Sequence, residues 1–290
     1  MSDEMTFRDR LVAAGTRYGL RPFLALPLPW SVHRRGMALV APRPQRGPCR
    51  EQWGRLADRR TLFVTPPEAR GTVLWLHGGG FVLGHPISYR RLAHRLAIRS
   101  GLRVALPRYR LAPEHPFPAA PDDALATAEA LAQDGPWWLA GDSAGGNLAL
   151  VVLSEMLTRG RGPERVVLAS PAPEIDPSRD LPPDMDEMML PEQLLRRAVA
   201  DYLNGADPSD PRISPLRAPY RDPPPVLIQC ARREFLEGDI DALALHLRAA
   251  GGEVQLEKAT GLPHDYQIFA GLCPAADRAI DRMADFLRPA

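Results

Sequence analysis

Trp137-Trp138-Leu139-Ala140-Gly141-Asp142-Ser143-Ala144-Gly145-Gly146 reads as an apolar strand that turns through Gly-x-Ser-x-Gly into an Ala/Leu/Val-rich helix over 145–158. On such a strand-to-helix elbow a serine hydroxyl stands clear of the backbone and can act as a nucleophile. Glycines two residues to either side suit a turn too tight for neighbouring Cβ atoms. The phosphate-loop signatures GxGxxG and GxxxxGK[ST] are absent. Ser143 is therefore the expected nucleophile. Adjacent residues on an elbow project in different directions, so Asp142 is expected to be a structural hydrogen-bonding group.

Upstream, His77-Gly78-Gly79-Gly80-Phe81 closes another apolar run, Thr72–Leu76. Attack on an ester carbonyl places negative charge on its oxygen, and each donor fixed around that point lowers the barrier by roughly 3 kcal/mol. The backbone N–H groups of Gly78, Gly79 and Ala144 are the expected oxyanion donors, with His77 shaping the loop.

In serine hydrolases with this elbow the chain order is serine, acid, histidine. Of the seven histidines only His246 and His264 follow Ser143. His246 sits among Ala and Leu in a helical stretch and reads as structural. His264 lies in Gly261-Leu262-Pro263-His264-Asp265-Tyr266, a loop after the last strand, and is the expected base. The acid should follow the preceding strand, Val226–Cys230. Glu234 is the first choice there, Asp239 the alternative and Asp241 a distant third.

Around these motifs, strands predicted at 72–76, 102–106, 137–140, 166–169, 226–230 and 254–258 alternate with helices at 88–100, 121–133, 145–158, 237–250 and 274–287. That alternation predicts an α/β fold with a mostly parallel sheet covered on both faces. The helix at 121–133 opens on Pro121-Asp122-Asp123, with its carboxylates toward the positive end of the dipole. Two stretches, 1–48 and 171–215, contribute no obvious strand; the second carries a helix at about 191–203 and the acidic, Met-bearing run 181–189. The expected organisation is an N-terminal cap segment over 1–48 and a catalytic domain over 49–290, with a cap insertion at about 176–212.

Composition narrows the alternatives. The 290 residues are 45% hydrophobic and 24% charged, ordinary for a globular core, and 36 basic against 35 acidic residues give no reason to expect nucleic acid. Lys258 is the only lysine. Cys49, Cys230 and Cys273 form no metal-ligand or disulfide pattern. With a charged start lacking a signal-like apolar segment and no apolar run long enough to span a bilayer, the expected setting is cytoplasmic.

Taken together, the HGGGF loop, the GDSAGG elbow, Tyr109-Arg110-Leu111-Ala112-Pro113-Glu114-His115-Pro116-Phe117-Pro118-Ala119-Ala120 and Asp207-Pro208-Ser209-Asp210-Pro211-Arg212 resemble the hormone-sensitive-lipase-like α/β-hydrolases. The resemblance covers about residues 70–285. It implies an eight-stranded core, a cap made from the N-terminus and an insertion, no cofactor, no metal, and hydrolysis of short- to medium-chain acyl esters. The expected partner is a small-molecule ester, with a homodimer left open. His115 is expected to buttress the site. The alternative chemistries are lactonase, deacetylase or amidase activity, and the alternative class is a non-catalytic ligand-binding homologue. This chain departs from the family pattern at Glu234-Phe235, where Asp-Pro is usual, at Arg108, commonly acidic, and after Ser170-Pro171, where an aromatic is frequent.

Overall fold

The computed structural model describes residues 5–43, 47–179 and 185–289. Helices α1 (Phe7–Gly15), α2 (Arg21–Ala25) and α3 (Trp30–Leu39) precede strands β1 (Arg50–Leu56) and β2 (Arg59–Thr65). Then follow β3 (Thr72–Leu76), α4 (Arg90–Ser100), β4 (Arg103–Pro107), α5 (Ala119–Leu131), β5 (Trp137–Asp142), α6 (Ser143–Thr158) and β6 (Val166–Ala169). The chain ends with α7 (Glu192–Leu203), β7 (Val226–Ala231), α8 (Glu237–Ala249), β8 (Val254–Ala259) and α9 (Pro274–Leu287).

The strands form one sheet in the order β1-β2-β4-β3-β5-β6-β7-β8. From β4 to β8 all neighbours are parallel, whereas β2 runs antiparallel to both β1 and β4. Side chains alternate across the sheet, as strand geometry requires. Val73 and Trp75 of β3 pack with α4 and α9, while Leu74 and Leu76 face the layer of α5, α6 and α8. The central strands are buried on both faces, which is why they read as continuous apolar runs. The chain order reverses at β3, which has β4 on one side and β5 on the other, and loops at the carboxyl ends of strands meet at such a point.

The β1–β2 hairpin is absent from the strands predicted from residue patterns. Arg50-Glu51-Gln52-Trp53-Gly54-Arg55-Leu56 and Arg59-Arg60-Thr61-Leu62 are charged because this edge of the sheet is half exposed. Arginines pack over its aromatic rings. Arg60 lies 4.6 Å from the Trp53 ring centroid and Arg103 lies 5.0 Å from that of Phe63. Helix α5 begins two residues earlier than predicted, which turns Asp123 from a dipole partner into a buried anchor for Arg110 and Arg59.

The N-terminal helices and the segment between β6 and β7 meet each other. Trp30 Nε1 donates to Asp201 at 2.5 Å, Arg197 lies 4.1 Å over the Trp30 ring and donates to the Leu28 carbonyl at 2.7 Å, and Arg17 pairs with Asp186. Of the Met-bearing run, residues 181–184 lie outside the described residues. Among the described residues no helix is long and apolar enough to cross a membrane.

Helix α1 is tied to the far end of the chain through Asp9. This buried carboxylate closes a capping box with Thr6 and accepts from the Ala275 N–H at 2.9 Å and from Cys273 Sγ at 3.0 Å. Removing it strands the buried Cys273 thiol and the half-buried Ala275 N–H at once. Asp9→Ala is expected to lower the unfolding free energy by about 1–3 kcal/mol in urea titration; a change within about 0.5 kcal/mol, the range of ordinary surface substitutions, would contradict this account.

Candidate active site

Leu76 pairs with Gly141 across β3 and β5, so the glycine-rich loop after one strand and the serine elbow after the other lie side by side. The contact is as close as backbone allows. A Cβ on Gly145 would collide with the carbonyl oxygens of Leu76 and His77, so only glycine fits. Ser143 sits between β5 and α6 with φ 49, a strained left-handed conformation for a non-glycine residue. It is half-buried, at the positive end of α6.

His264 arrives from the loop after β8. Its Nε2 lies 2.9 Å from Ser143 Oγ, and its Nδ1 lies 3.5 Å from Oε2 of Glu234, on the loop after β7. All three residues are thereby brought together. The Nδ1 separation is longer than a good hydrogen bond, a looseness common in sites without bound substrate. Glu234 Oε2 is fixed independently by Ser170 Oγ at 2.8 Å and the Ala231 N–H at 3.1 Å. Burial raises the Glu234 carboxyl above its ordinary range, with the facing His264 partly opposing the shift. Burial pulls His264 downward, but the carboxylates of Asp265 and Glu234 outweigh it and hold the imidazole above the ordinary histidine range.

Asp239 does not join this group. It pairs with Arg179, while Asp241 pairs with Lys258 at 2.7 Å. His246 caps the Ala218 carbonyl at 3.0 Å, and His115 is exposed. His77 is buried, stacks on Tyr109 at 4.3 Å and donates to the Gly78 carbonyl; burial pushes it down to about 4, so it is neutral and structural. The Tyr109 hydroxyl donates to the His77 carbonyl at 2.6 Å, so the proline-rich 109–120 stretch supports the loop from behind.

The glycine loop departs from expectation at one position. The Gly78 N–H is buried and already donates to Tyr89 Oη and Asp142 Oδ2, both at 2.9 Å, so it is unavailable to an oxyanion. Gly79 and Gly80 are half-buried instead, and Gly79 has φ 122, a conformation open to glycine. Gly80 and Ala144 line a cavity of about 90 Å³ beside Ser143. Its walls are mainly apolar, with Phe81, Ala172, Ile175, Leu195, Val199 and Phe235 closing it. Phe235 and Ala172 are two of the positions where the sequence departs from the family pattern, and both serve as cavity wall.

A family model described as alpha/beta hydrolase fold matches residues 73–268. Over 253 residues the chain is 35% identical to an acetyl-hydrolase of Streptomyces hygroscopicus, a match covering 84% of this chain and 81% of that protein. An esterase/lipase from an uncultured bacterium superposes with a TM-score of 0.90 at 30% identity, over 97% of this chain and 98% of its own. An esterase from the bacterial hormone-sensitive lipase family gives 0.88 at 29%, over 98% and 99%. The chain belongs to the hormone-sensitive-lipase-like α/β-hydrolases.

Within this hydrolase, pattern reading overlooked Tyr89, Gly80 and Asp265. Tyr89 falls at the start of the helix predicted over 88–100, and its hydroxyl donates to Asp142 at 2.5 Å and receives the Gly78 N–H. The only sequence signal for Gly80 was its place as third glycine of the run.

Close packing at the elbow yields a direct test. Gly145→Ala should lower the melting temperature sharply, by the equivalent of about 2–3 kcal/mol or more, because backbone oxygens block the new methyl. Gly238→Ala in α8, where a Cβ meets nothing within 4 Å, should stay within about 1 kcal/mol of the parent. Thermal unfolding of the two variants side by side checks the contrast.

Proposed function

We propose that this protein is a serine carboxylesterase acting on short-chain acyl esters through an acyl-enzyme. The observation that carries the reading is Ser143 Oγ at 2.9 Å from His264 Nε2, next to backbone donors at the start of α6. Ser143 attacks the ester carbonyl while His264 Nε2 takes its proton. The oxyanion forms where the N–H groups of Gly79, Gly80 and Ala144 converge, a revision that replaces Gly78 by Gly80. His264 then protonates the departing alkoxide, and water repeats the sequence to release the acid. Glu234 holds the imidazole in its Nδ1–H tautomer and stabilises the imidazolium. The small apolar cavity favours short acyl groups, and the name of the Streptomyces relative, an acetyl-hydrolase, supports the same preference.

In this reading the N-terminal helices and the 176–212 insertion act as the cap, since α7 supplies Leu195 and Val199 to the cavity wall and α3 holds α7 through Trp30. The three cysteines are free and buried, which supports a reducing, cytoplasmic setting.

Hydrolysis of p-nitrophenyl esters from acetate to laurate should peak at the short end and fall in Ser143→Ala by roughly 10⁶-fold. No turnover at any chain length by the folded protein would instead indicate a ligand-binding homologue. Glu234→Ala should lower kcat by roughly 10²–10⁴-fold, whereas Asp239→Ala should lose less than about tenfold. The reverse ranking would move the acid to Asp239.

A further inference from the structure

Two buried carboxyl groups, Glu234 and Asp265, converge on the imidazole of His264, and a serine triad needs one. Glu234 faces Nδ1. Asp265, the next residue in the chain, places Oδ2 3.2 Å from Nε2, the nitrogen that lies 2.9 Å from Ser143 Oγ. Its backbone is left-handed, φ 53 and ψ 35, a conformation aspartate tolerates better than most residues. Asp265 is 5% exposed and its Oδ1 has no hydrogen-bond partner, an arrangement that stands out in a buried site. Asp142, at the end of β5, bears electrostatically on Asp265 and is itself held by Trp75 Nε1, the Gly78 N–H and the Tyr89 hydroxyl.

We propose that Asp265 is a positioning residue for the reaction, a second carboxylate that holds the protonated imidazole of His264 through Nε2 and competes with Ser143 for that edge. The inference rests on the Ser143–His264 esterase reading. A buried anion in contact with imidazole favours the charged form. Glu234 exerts this pull from Nδ1, where it also fixes the useful tautomer. Asp265 exerts it on the nitrogen that has to be empty before Ser143 can surrender its proton.

The other groups bearing on this contact are known from each element around it. Glu234 comes from the loop after β7, Asp142 from β5, Tyr89 from the start of α4, Ser170 from the loop after β6, and Glu187 from the insertion. None is cationic. The imidazolium is the positive charge these carboxyls share, and burial together with mutual repulsion raises both Asp142 and Asp265.

The sign of the effect follows. Neutral His264 is the working base, so activity rises with pH as its proton leaves. Asp265 holds that proton more tightly and pushes the acid limb of the profile to higher pH. Removing the charge moves the limb to lower pH. The acyl cavity is unaffected, since Asp265 is not part of its wall.

The test uses Asp265→Asn, which keeps the shape, and Asp265→Gly, which suits the left-handed backbone. The His264 ring is titrated by NMR in the folded proteins, its signal assigned by loss in His264→Gln, and kcat/KM for p-nitrophenyl acetate is followed from about pH 5 to pH 10. Both variants should lower the ring titration and the acid limb together by about one unit or more, with KM unchanged. An unmoved ring titration in both variants, as expected if Asp265 holds a proton and is neutral, would overturn the proposal. A shifted ring titration in an enzyme with no esterase turnover would uphold the Asp265–His264 pairing and reject the esterase reading, so the two failures are separable.

Discussion

The parallel pairing of β3 with β5, closed to backbone contact at their carboxyl ends, is the constraint on which the rest of the structure depends. Gly145 lies so near the Leu76 and His77 carbonyls that no other residue fits. That approach sets the serine elbow beside the glycine loop and leaves Ser143 in a strained left-handed conformation. The surrounding sheet supports this strain, because β5 is buried along its whole length and flanked by β3 and β6. Had the two strands been separated by another, the nucleophile and its oxyanion donors would lie on different parts of the molecule.

A network of buried polar groups fastens the loop to the elbow. Asp142 accepts from Trp75, Gly78 and Tyr89, and thereby joins β3, the glycine loop and the start of α4 to β5. The network has a consequence for the loop itself. The Gly78 N–H is committed to Asp142 and Tyr89, while Gly79 and Gly80 after it are half-buried. Burial makes each of these bonds costly to leave unmade, which keeps the loop in one arrangement.

The electrostatics of the site are those of clustered buried carboxyl groups, each raised by burial. Glu234, Asp265 and Asp142 are each almost wholly buried, and the histidine among them is the compensating group. Such an arrangement stabilises the imidazolium that forms during acyl transfer and also makes it harder to empty at rest. The two effects act in opposite directions on rate as pH changes. The second carboxylate on Nε2 distinguishes this site from a plain serine–histidine–acid set.

Much of this was legible in the sequence because it depends on local chemistry. The elbow glycines, the apolar runs of β3 and β5–β7, and the chain order of serine, acid and histidine need only spacing and residue type. The first hairpin was hidden because its half-exposed edge is clothed in arginine and lacks a long apolar run. Glu234 and Asp239 were close rivals in sequence, since both follow β7 closely; only the path of that loop sets one carboxylate against His264 and the other against Arg179. The Gly78 N–H likewise reads as a free donor in sequence, and only the fold commits it to Asp142 and Tyr89. The sequence by itself located the Gly-x-Ser-x-Gly elbow, the histidine after the last strand and the sheet that carries them. The tertiary structure decided which of two nearby carboxylates faces His264 and that the Gly78 N–H is taken up by Asp142 and Tyr89, because direction in space is fixed by packing between strands distant in the chain.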